Sequence, residues 1–326
     1  MRVFVAGGSG VVGRYLIPEL VKRGHEVVAT TTTAEKRAML EELGAKALQL
    51  DVLDGEATMR AVAEARPEVV VHQATALSRP ASLRRFDAFF AGTNRLRTEG
   101  TRNLLAAASA VDASRFVAQS FTGWPNARDG AWVKTEDDAL DPDPPAAARG
   151  TLAAIRDLEA TVTGSSKTRG VVLRYGALYG PKTSLGVGGE VVELVRRRKL
   201  PLVGDAAGVW SFLHLADMAH ATVAAIEGGG AAGVYNVVDD EPAPTSAWLP
   251  YLAQVLGAKP PRRIPRWLAR LLIGEQGVAM MTEMRGSANG KAKRELGWHP
   301  LYASWREGFL HGLGGEAEEA ESRRTA

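Results

Sequence analysis

Several components common in enzymes are absent from this chain of 326 residues. It contains no cysteine, which excludes disulfide bonds, a thiolate nucleophile and a cysteine-ligated metal, and we expect no metal site. No apolar run is long enough to span a bilayer, and the first residues look like a core strand rather than a signal peptide. We therefore expect a cytoplasmic protein with no membrane partner.

Excess charge of one sign is also lacking. The chain has 40 Lys and Arg residues against 37 Asp and Glu residues, for a net charge of +3. Its basic runs, 196–199 and 262–263, are short and have no interleaved aromatic residues, so we expect no nucleic-acid partner. The terminal segment 312–326 is mostly small and charged and is expected to be disordered.

A glycine-rich loop follows the first strand-like run, residues 2–6. Glycines stand at 7, 10 and 13, and an amphipathic stretch follows at 11–23. The order strand, glycine loop, helix is what a dinucleotide pyrophosphate requires, because the loop allows close approach and the helix N-terminus faces the negative charge. The alternative is a glycine-rich turn in another α/β domain.

Strand-like and helix-like segments alternate through the first half of the chain. This pattern predicts a doubly wound parallel sheet, a Rossmann-type α/β fold, with a small, mostly helical C-terminal substrate cap. The candidate strands are 3–6, 26–29, 47–50, 69–72, 115–119 and 170–174, and the candidate helices are 11–23, 34–43, 55–65, 82–110 and 150–163. The expected division is a dinucleotide-binding domain at 1–180, to which 214–238 returns, and a cap at 181–213 and 239–311.

Motifs beyond the glycine loop occur in a characteristic order. They include Leu50–Asp54, Val70–Ala74, Gly100–Leu105, Phe116–Ser120, Leu173–Pro181, Phe212–Asp217 and Lys291–Trp298. Together they resemble the extended short-chain dehydrogenases/reductases, the NAD-dependent epimerase/dehydratase family, over nearly the whole chain. The resemblance implies a nicotinamide cofactor bound by Gly7, Ser9, Gly10, Val11, Val12, Gly13, Asp51, Val52, Gln73, Ala74, Thr75, Ser120, Tyr175 and Gly176.

Two of these positions have plainer interpretations. Asp51 is also consistent with a strand-end cap, and Gln73 with a buried polar residue that bonds to the backbone.

The end of the second strand bears on the choice of cofactor. An acidic residue there would bind the adenine ribose and favour NAD. This chain has Thr31 and Thr32 instead, with Lys36 a turn later. Hydroxyls and a cation suit a 2′-phosphate, so we expect NADP(H) over NAD(H). The alternative for Lys36 is an ordinary exposed helix start.

The catalytic pattern of the resembled family is incomplete. That pattern is a serine or threonine plus Tyr-x-x-x-Lys on the next helix, with tyrosine as the proton donor or acceptor. Ser120 matches the serine, but counting back from Glu159 places Thr151 and Ile155 at the tyrosine and lysine positions. The catalytic prediction is that Ser120 bonds the reacting oxygen and that a non-standard donor, Tyr175 or water, supplies the proton. The alternative is that Tyr175 only packs on the cofactor.

The substrate positions also depart from the nucleotide-sugar enzymes of that family. Ala177 replaces an asparagine, and Val209–Ser211 stand where an arginine usually binds the diphosphate. Unpaired diphosphate charge in such a pocket would be costly, so a small, mostly apolar substrate, such as an aromatic or polyketide-like molecule, is predicted. The candidate substrate-site residues are Thr122, Trp124, Lys134 in a loop over the site, Arg149, Trp210 and His214.

Three functions are consistent with these residues. The first is an atypical NAD(P)-dependent oxidoreductase acting on a carbonyl or alcohol. The second is a nucleotide-sugar epimerase or dehydratase. The third is an NADP(H)-binding protein without redox turnover. The family habit of pairing through helices 82–110 and 150–163 also leads us to expect a homodimer.

Overall fold

A seven-stranded parallel sheet forms the centre of the computed structural model, which describes residues 1–77, 82–228 and 230–314. The strands are β1 (Arg2–Ala6), β2 (Glu26–Thr31), β3 (Lys46–Gln49), β4 (Val69–His72), β5 (Arg115–Phe121), β7 (Arg169–Tyr175) and β12 (Gly233–Val237). Their spatial order is β12-β7-β5-β4-β1-β2-β3. Chain order reverses between β1 and β4, and at such a switch point open α/β sheets bind ligands.

Helices cover both faces of the sheet, as fully apolar parallel strands require. They are α1 (Val11–Lys22), α2 (Arg37–Glu42), α3 (Gly55–Ala65), α4 (Phe86–Arg95), α5 (Thr101–Ala110), α6 (Arg149–Thr163) and α8 (Leu215–Glu227). One apolar layer joins the sheet to α1 and α8, and the other joins it to α3, α5 and α6.

The predicted elements of the sheet are confirmed, with differences at their ends. The strands β2, β5 and β7 each run one or two residues further at the edge that faces the glycine loop. The predicted helix 34–43 begins as a 3-10 turn at Ala34–Lys36. The predicted helix 82–110 has a 3-10 turn at Leu83–Arg85 and a π-helical segment at Leu96–Gly100.

The cap is built from short strand pairs and helices around an aromatic core that contains Phe212, Trp248 and Trp305. Its elements, with the short β6, are β6 (Val133–Lys134), β8 (Ala177–Tyr179), α7 (Glu190–Arg196), β9 (Leu202–Val203), β10 (Val209–Trp210), β11 (Phe212–His214), β13 (Ala243–Pro244), α9 (Thr245–Val255), β14 (Arg263–Ile264), α10 (Arg266–Thr282), β15 (Gly286–Ser287), α11 (Gly290–Leu296) and α12 (Trp305–His311).

Helix α10 of the cap has a break at Gly274 (φ 75°). One detail of the C-terminal part differs from expectation. The start of the expected disordered tail is packed: Leu313 is buried, and its carbonyl accepts from Val187 N. The rest of that prediction, 315–326, lies outside the described residues. Within the described ranges, no helix is long and apolar enough to cross a membrane.

Two buried histidines, His72 and His214, bond to the backbone of neighbouring segments, and both rings do so in the neutral form. In His72, Nδ1 accepts from Ala74 N and Nε2 lies 3.0 Å from the Leu96 carbonyl. In His214, Nδ1 accepts from Ala216 N and Nε2 lies 3.1 Å from the Gly312 carbonyl. Burial lowers the pKa of each ring from 6.5 to about 4. A second ring proton would face a backbone N–H, so protonation opposes the fold.

We predict that acid destabilises the protein through these rings. Because the folded-state pKa lies below 6.5, the unfolded chain binds the proton first, and stability is lost as pH falls from about 6.5 through about 4. The cost at pH 4 is about 3 kcal/mol per histidine. His72→Gln should remove one histidine's contribution to the pH dependence of the free energy of unfolding, measured with urea from about pH 4 to 7.5. Exposed His299→Gln should leave that pH dependence as in wild type. Equal slopes in both variants would contradict the assignment.

Candidate functional site

The glycine loop packs tightly at two glycines and stays open at the third. Gly7 has φ 86°, and a Cβ there would lie 2.5 Å from the Ala74 Cα. A Cβ on Gly13 would overlap the Gly8 carbonyl oxygen, so α1 rests directly on the loop. Gly10 is exposed, and a Cβ there would contact only the Gly7 carbonyl oxygen, at 3.4 Å.

Within the described part of the chain, no side chain caps the N-terminus of α1, whose first amides are therefore available to bind an anion. Ser9, Val11 and Val12 are partly exposed around this opening. The loop fits the pyrophosphate of a dinucleotide, and a bound nicotinamide would supply hydride chemistry at the same edge of the sheet.

The end of β2 carries hydroxyls and no carboxylate. Thr30 Oγ1 accepts from Gly7 N, which fastens the loop to this strand. Thr31 is buried and bonds within its own turn, whereas Thr32 and Lys36 are exposed beside the loop.

Neighbouring positions predicted for the cofactor lie along the same edge. Asp51 is exposed, with its carboxylate accepting from Leu53 N, and Val52 is buried next to it. Thr75 is exposed at the end of β4. Gly176 lies between Ser211 and Val238, where a Cβ would not fit.

Tyr175 is buried within a chain of hydrogen bonds on the α8 side of the sheet. Its hydroxyl accepts from Gln73 Nε2 (2.9 Å) and lies 2.7 Å from Thr222 Oγ1. Thr222 donates to the Met218 carbonyl, so the tyrosine proton points to Thr222. Burial raises the pKa of Tyr175 to about 12. This geometry argues against the predicted role of Tyr175 as a proton donor.

The Ser120 hydroxyl is hydrogen-bonded to a buried ion pair. Its hydroxyl donates to Glu159 Oε1 at 2.8 Å, and the same carboxylate accepts two bonds from Arg174 at 2.6 and 2.8 Å. All three residues are buried between β5, β7 and α6. The Ser120 side chain therefore points toward helix α6, and the structure argues against its predicted contact with a reacting oxygen.

The α6 positions predicted for tyrosine and lysine offer no free donor. Thr151 donates to Asp87 Oδ1 at 2.6 Å and accepts from Asn94 Nδ2 at 3.1 Å. Asp87 also accepts from the Gly150 and Thr151 amides, so it caps α6. Ile155 is fully buried.

An apolar cluster surrounds Ile155 where the sheet meets the cap. We call it the aromatic cluster. Phe86 contacts Phe90 and Trp124, with ring centroids 4.7 and 4.9 Å apart. Its members are Leu83, Phe86, Phe90, Phe121, Trp124, Leu140, Ala147, Ala148, Leu152, Ile155, Trp210, Met280 and Met284. The predicted Trp124 and Trp210 therefore belong to one cluster. Its core is buried, and its partly buried rings, Phe90, Phe121 and Trp210, are the ones on which an aromatic ligand could pack.

The other predicted substrate residues have structural contacts. Thr122 is buried 2.6 Å from Ser287 Oγ. Lys134 is not in a loop over the site: it lies buried in β6, paired with Asp138. Arg149 is exposed and paired with Asp143, and His214 caps α8. Each of the four therefore has a structural contact within the described residues, and none of them is a member of the aromatic cluster.

Arg97 was not among the predicted site residues. It lies in the π-helical segment, half-buried, with Nη1 donating to Asn94 Oδ1 at 3.3 Å. Its guanidinium carbon lies 5.6 Å from the centre of the Phe90 ring. Burial lowers the pKa of Arg97 to about 10, against the opposing effect of Glu159. No sequence motif marks this residue, because the surrounding pattern indicates only a helix.

Comparison with known proteins identifies the class of this fold and site. The model of the NAD-dependent epimerase/dehydratase family matches residues 3–237, and the chain belongs to that family. Among solved structures, a UDP-glucose 4-epimerase of Thermus thermophilus with NAD is 27% identical, has a TM-score of 0.72 and aligns over 96% of this chain and 98% of its own. A UDP-glucose 4-epimerase of Thermotoga maritima, 20% identical with a TM-score of 0.75 over both complete chains, shares the fold.

The curated relatives include reductases. A 3-diazoavenalumate denitrifying reductase from Streptomyces sp. is 46% identical over 314 residues, 95% of this chain and 99% of the relative. A 4-hydroxy-2-methyl-3-oxo-4-farnesyl-3,4-dihydroquinoline-1-oxide ketoreductase from Stigmatella aurantiaca is 29% identical, over 79% of this chain and 74% of the relative. The chain is an NAD(P)-dependent oxidoreductase of the extended short-chain dehydrogenase/reductase type, as its motifs predicted.

Substitution of Gly10 tests the position of the cofactor. Gly10→Ala should weaken NADP(H) and NAD(H) binding about tenfold or more, because its methyl group would stand before the α1 amides. Its thermal unfolding should match wild type, since φ is −73° and the site has space. Gly13→Ala, which clashes with Gly8, should instead lower stability. Wild-type affinity in Gly10→Ala, measured by fluorescence titration, would refute this cofactor position.

Proposed function

We propose that this chain is a reductase that replaces a diazo group on a small aromatic substrate with hydrogen, using a nicotinamide cofactor as hydride source. The substrate reacts as an aryl diazonium ion: its ring carbon gains a hydride and loses dinitrogen, while the reduced cofactor is oxidised, so atoms and charge balance without a proton. The 46% identity to a denitrifying reductase supports this reaction class.

The proposal rests on the hydrogen bonds that already engage each candidate hydroxyl. Ser120 donates to Glu159, Thr151 donates to Asp87, and the Tyr175 proton points to Thr222. Reduction of a carbonyl would need a proton on oxygen, and a positioned acid normally contributes roughly 10²–10⁴-fold to such a step. Displacement of dinitrogen by hydride needs no acid. The site therefore suits this reaction better than carbonyl reduction.

The aromatic cluster supports the substrate class. Its partly buried rings, Phe90, Phe121 and Trp210, would hold a flat apolar molecule and would exclude water around the reacting carbon. A nucleotide sugar would bring a diphosphate into this environment, and epimerisation would also need a base at the substrate hydroxyl. Among the described side chains around Ile155, the carboxylates of Asp87 and Glu159 are already engaged, so neither is a free base for the sugar.

A second candidate function is cofactor binding without redox turnover. The same lack of a free proton donor favours it, so the two candidates are separated only by turnover on a diazo substrate.

Isotope tracing tests the reductase proposal. With an aryl diazonium carboxylate and NADPH deuterated stereospecifically at C4, we expect release of dinitrogen and an arene that carries deuterium at the former diazo carbon. One of the two C4-deuterated forms should transfer its label and the other should not. With unlabelled NADPH in D₂O, the arene should contain no deuterium. Mass spectrometry of the product measures all three.

A reaction without enzyme is the control, because free NADPH would give up either C4 hydrogen. Deuterium from D₂O in the product, or loss of stereospecificity, would contradict enzymatic hydride transfer. Tight cofactor binding without turnover on diazo compounds would favour the second candidate.

The preference for NADP(H) is part of the same proposal, and it rests on Thr32 and Lys36 in the absence of a carboxylate at the end of β2. Two related solved structures, the Bordetella bronchiseptica enzyme WbmG and the Thermus thermophilus UDP-glucose 4-epimerase, contain NAD. Thr32→Asp should shift the ratio of NADPH to NADH affinity toward NADH by about tenfold or more, through repulsion of the 2′-phosphate. Thr32→Asn, whose side chain has the shape of aspartate without its charge, should keep the wild-type ratio. A wild-type enzyme that prefers NADH would overturn this part.

A further inference from the structure

Arg97 is a half-buried cation without an ionic partner among the described residues. Its one hydrogen bond within those residues goes to the Asn94 side chain. Arg95, two residues earlier, illustrates the usual arrangement, since it is exposed and forms a two-bond pair with Glu99. A buried charge that lacks a counter-ion is costly unless a ligand supplies one.

The nearby carboxylates are already engaged elsewhere. Glu159 bonds Arg174 through both oxygens and also accepts from Ser120. Asp87 accepts from the first amides of α6 and from Thr151. Neither lies within ion-pair distance of Arg97 in the described part of the chain. Arg97 therefore keeps unused donors.

Arg97 lies beside the position that the tyrosine of the family pattern would occupy. Its Nη1 bonds Asn94, and Asn94 in turn bonds Thr151 at 3.1 Å. On its other side, the guanidinium faces Phe90 of the aromatic cluster. A planar cation at the edge of an apolar surface recognises an aromatic molecule that carries an anionic oxygen.

We propose that Arg97 binds a carboxylate or phenolate oxygen of the substrate and so holds the aromatic ring against the aromatic cluster. The identity of the substrate in this inference rests on the proposed function, and Arg97 is the residue that selects that substrate. Arg97 is then a substrate-binding residue with no part in proton transfer.

Benzoate and its neutral isostere benzamide provide the probes. With wild-type protein saturated with NADP⁺, calorimetry or ligand-observed NMR should show benzoate binding about tenfold or more tighter than benzamide. Arg97→Met should abolish that preference. Arg97→Lys should restore part of it, because it keeps the charge but loses the planar fork. Arg95→Met is the matched control and should behave as wild type. NADP⁺ affinity should be unchanged in all variants.

Equal binding of benzoate and benzamide to wild type, or an unchanged preference in Arg97→Met, would overturn the inference. Weakened NADP⁺ binding in Arg97→Met would assign Arg97 to the cofactor instead. If that variant unfolds, Arg97→Gln, which can keep a bond to Asn94, replaces it. Because benzoate binding needs no turnover, failure here is distinguishable from failure of the reductase proposal.

Discussion

A buried carboxylate, Glu159, joins the three elements that define this site. It binds Arg174 of β7 and Ser120 of β5 from helix α6, so it fixes the rotation of α6 over the sheet. Removing one member of such a buried pair typically costs about 3–5 kcal/mol, since it strands the other charge. With α6 held in this rotation, Thr151 lies against Asp87 and Ile155 lies within the aromatic cluster.

That rotation has a chemical consequence. The Ser120 hydroxyl donates to Glu159 of the ion pair, and the Thr151 hydroxyl donates to Asp87, which caps α6. Ile155 contributes a buried apolar side chain. These three residues offer no donor for protonation of a carbonyl oxygen. Hydride transfer to an aromatic ring that carries an anionic group does not need such a donor. A nicotinamide enzyme that expels dinitrogen fits these constraints, because its substrate brings its own leaving group and needs no acid.

The sequence predicted the framework well because short-range patterns determine it. Apolar strands, glycines at 7, 10 and 13 and the strand–helix alternation locate the sheet and the cofactor edge. The sequence could not predict to which face of the sheet the side chains at the strand ends point. Ser120 and Phe121 are adjacent on β5, and a shift of one residue decides which of them joins the ion pair and which the aromatic cluster.

Long-range contacts account for the other misses. Tyr175 reaches Thr222, 47 residues later, and Lys134 is buried because β6 pairs with β15. Arg97 lies in a helical segment whose composition looks like a solvated face, and only the packing of Phe90 and Asn94 gives it a role. Such pairings depend on the whole fold, so no local pattern predicts them.

In the proposed reaction, hydride transfer proceeds without an accompanying proton transfer. The single-turnover rate of cofactor oxidation with an aryl diazonium substrate, compared in H₂O and D₂O at matched positions on the pH profile, tests this. We expect equal rates in the two solvents. A clearly slower reaction in D₂O would show a proton moving in the rate-limiting step and would contradict the proposed reaction.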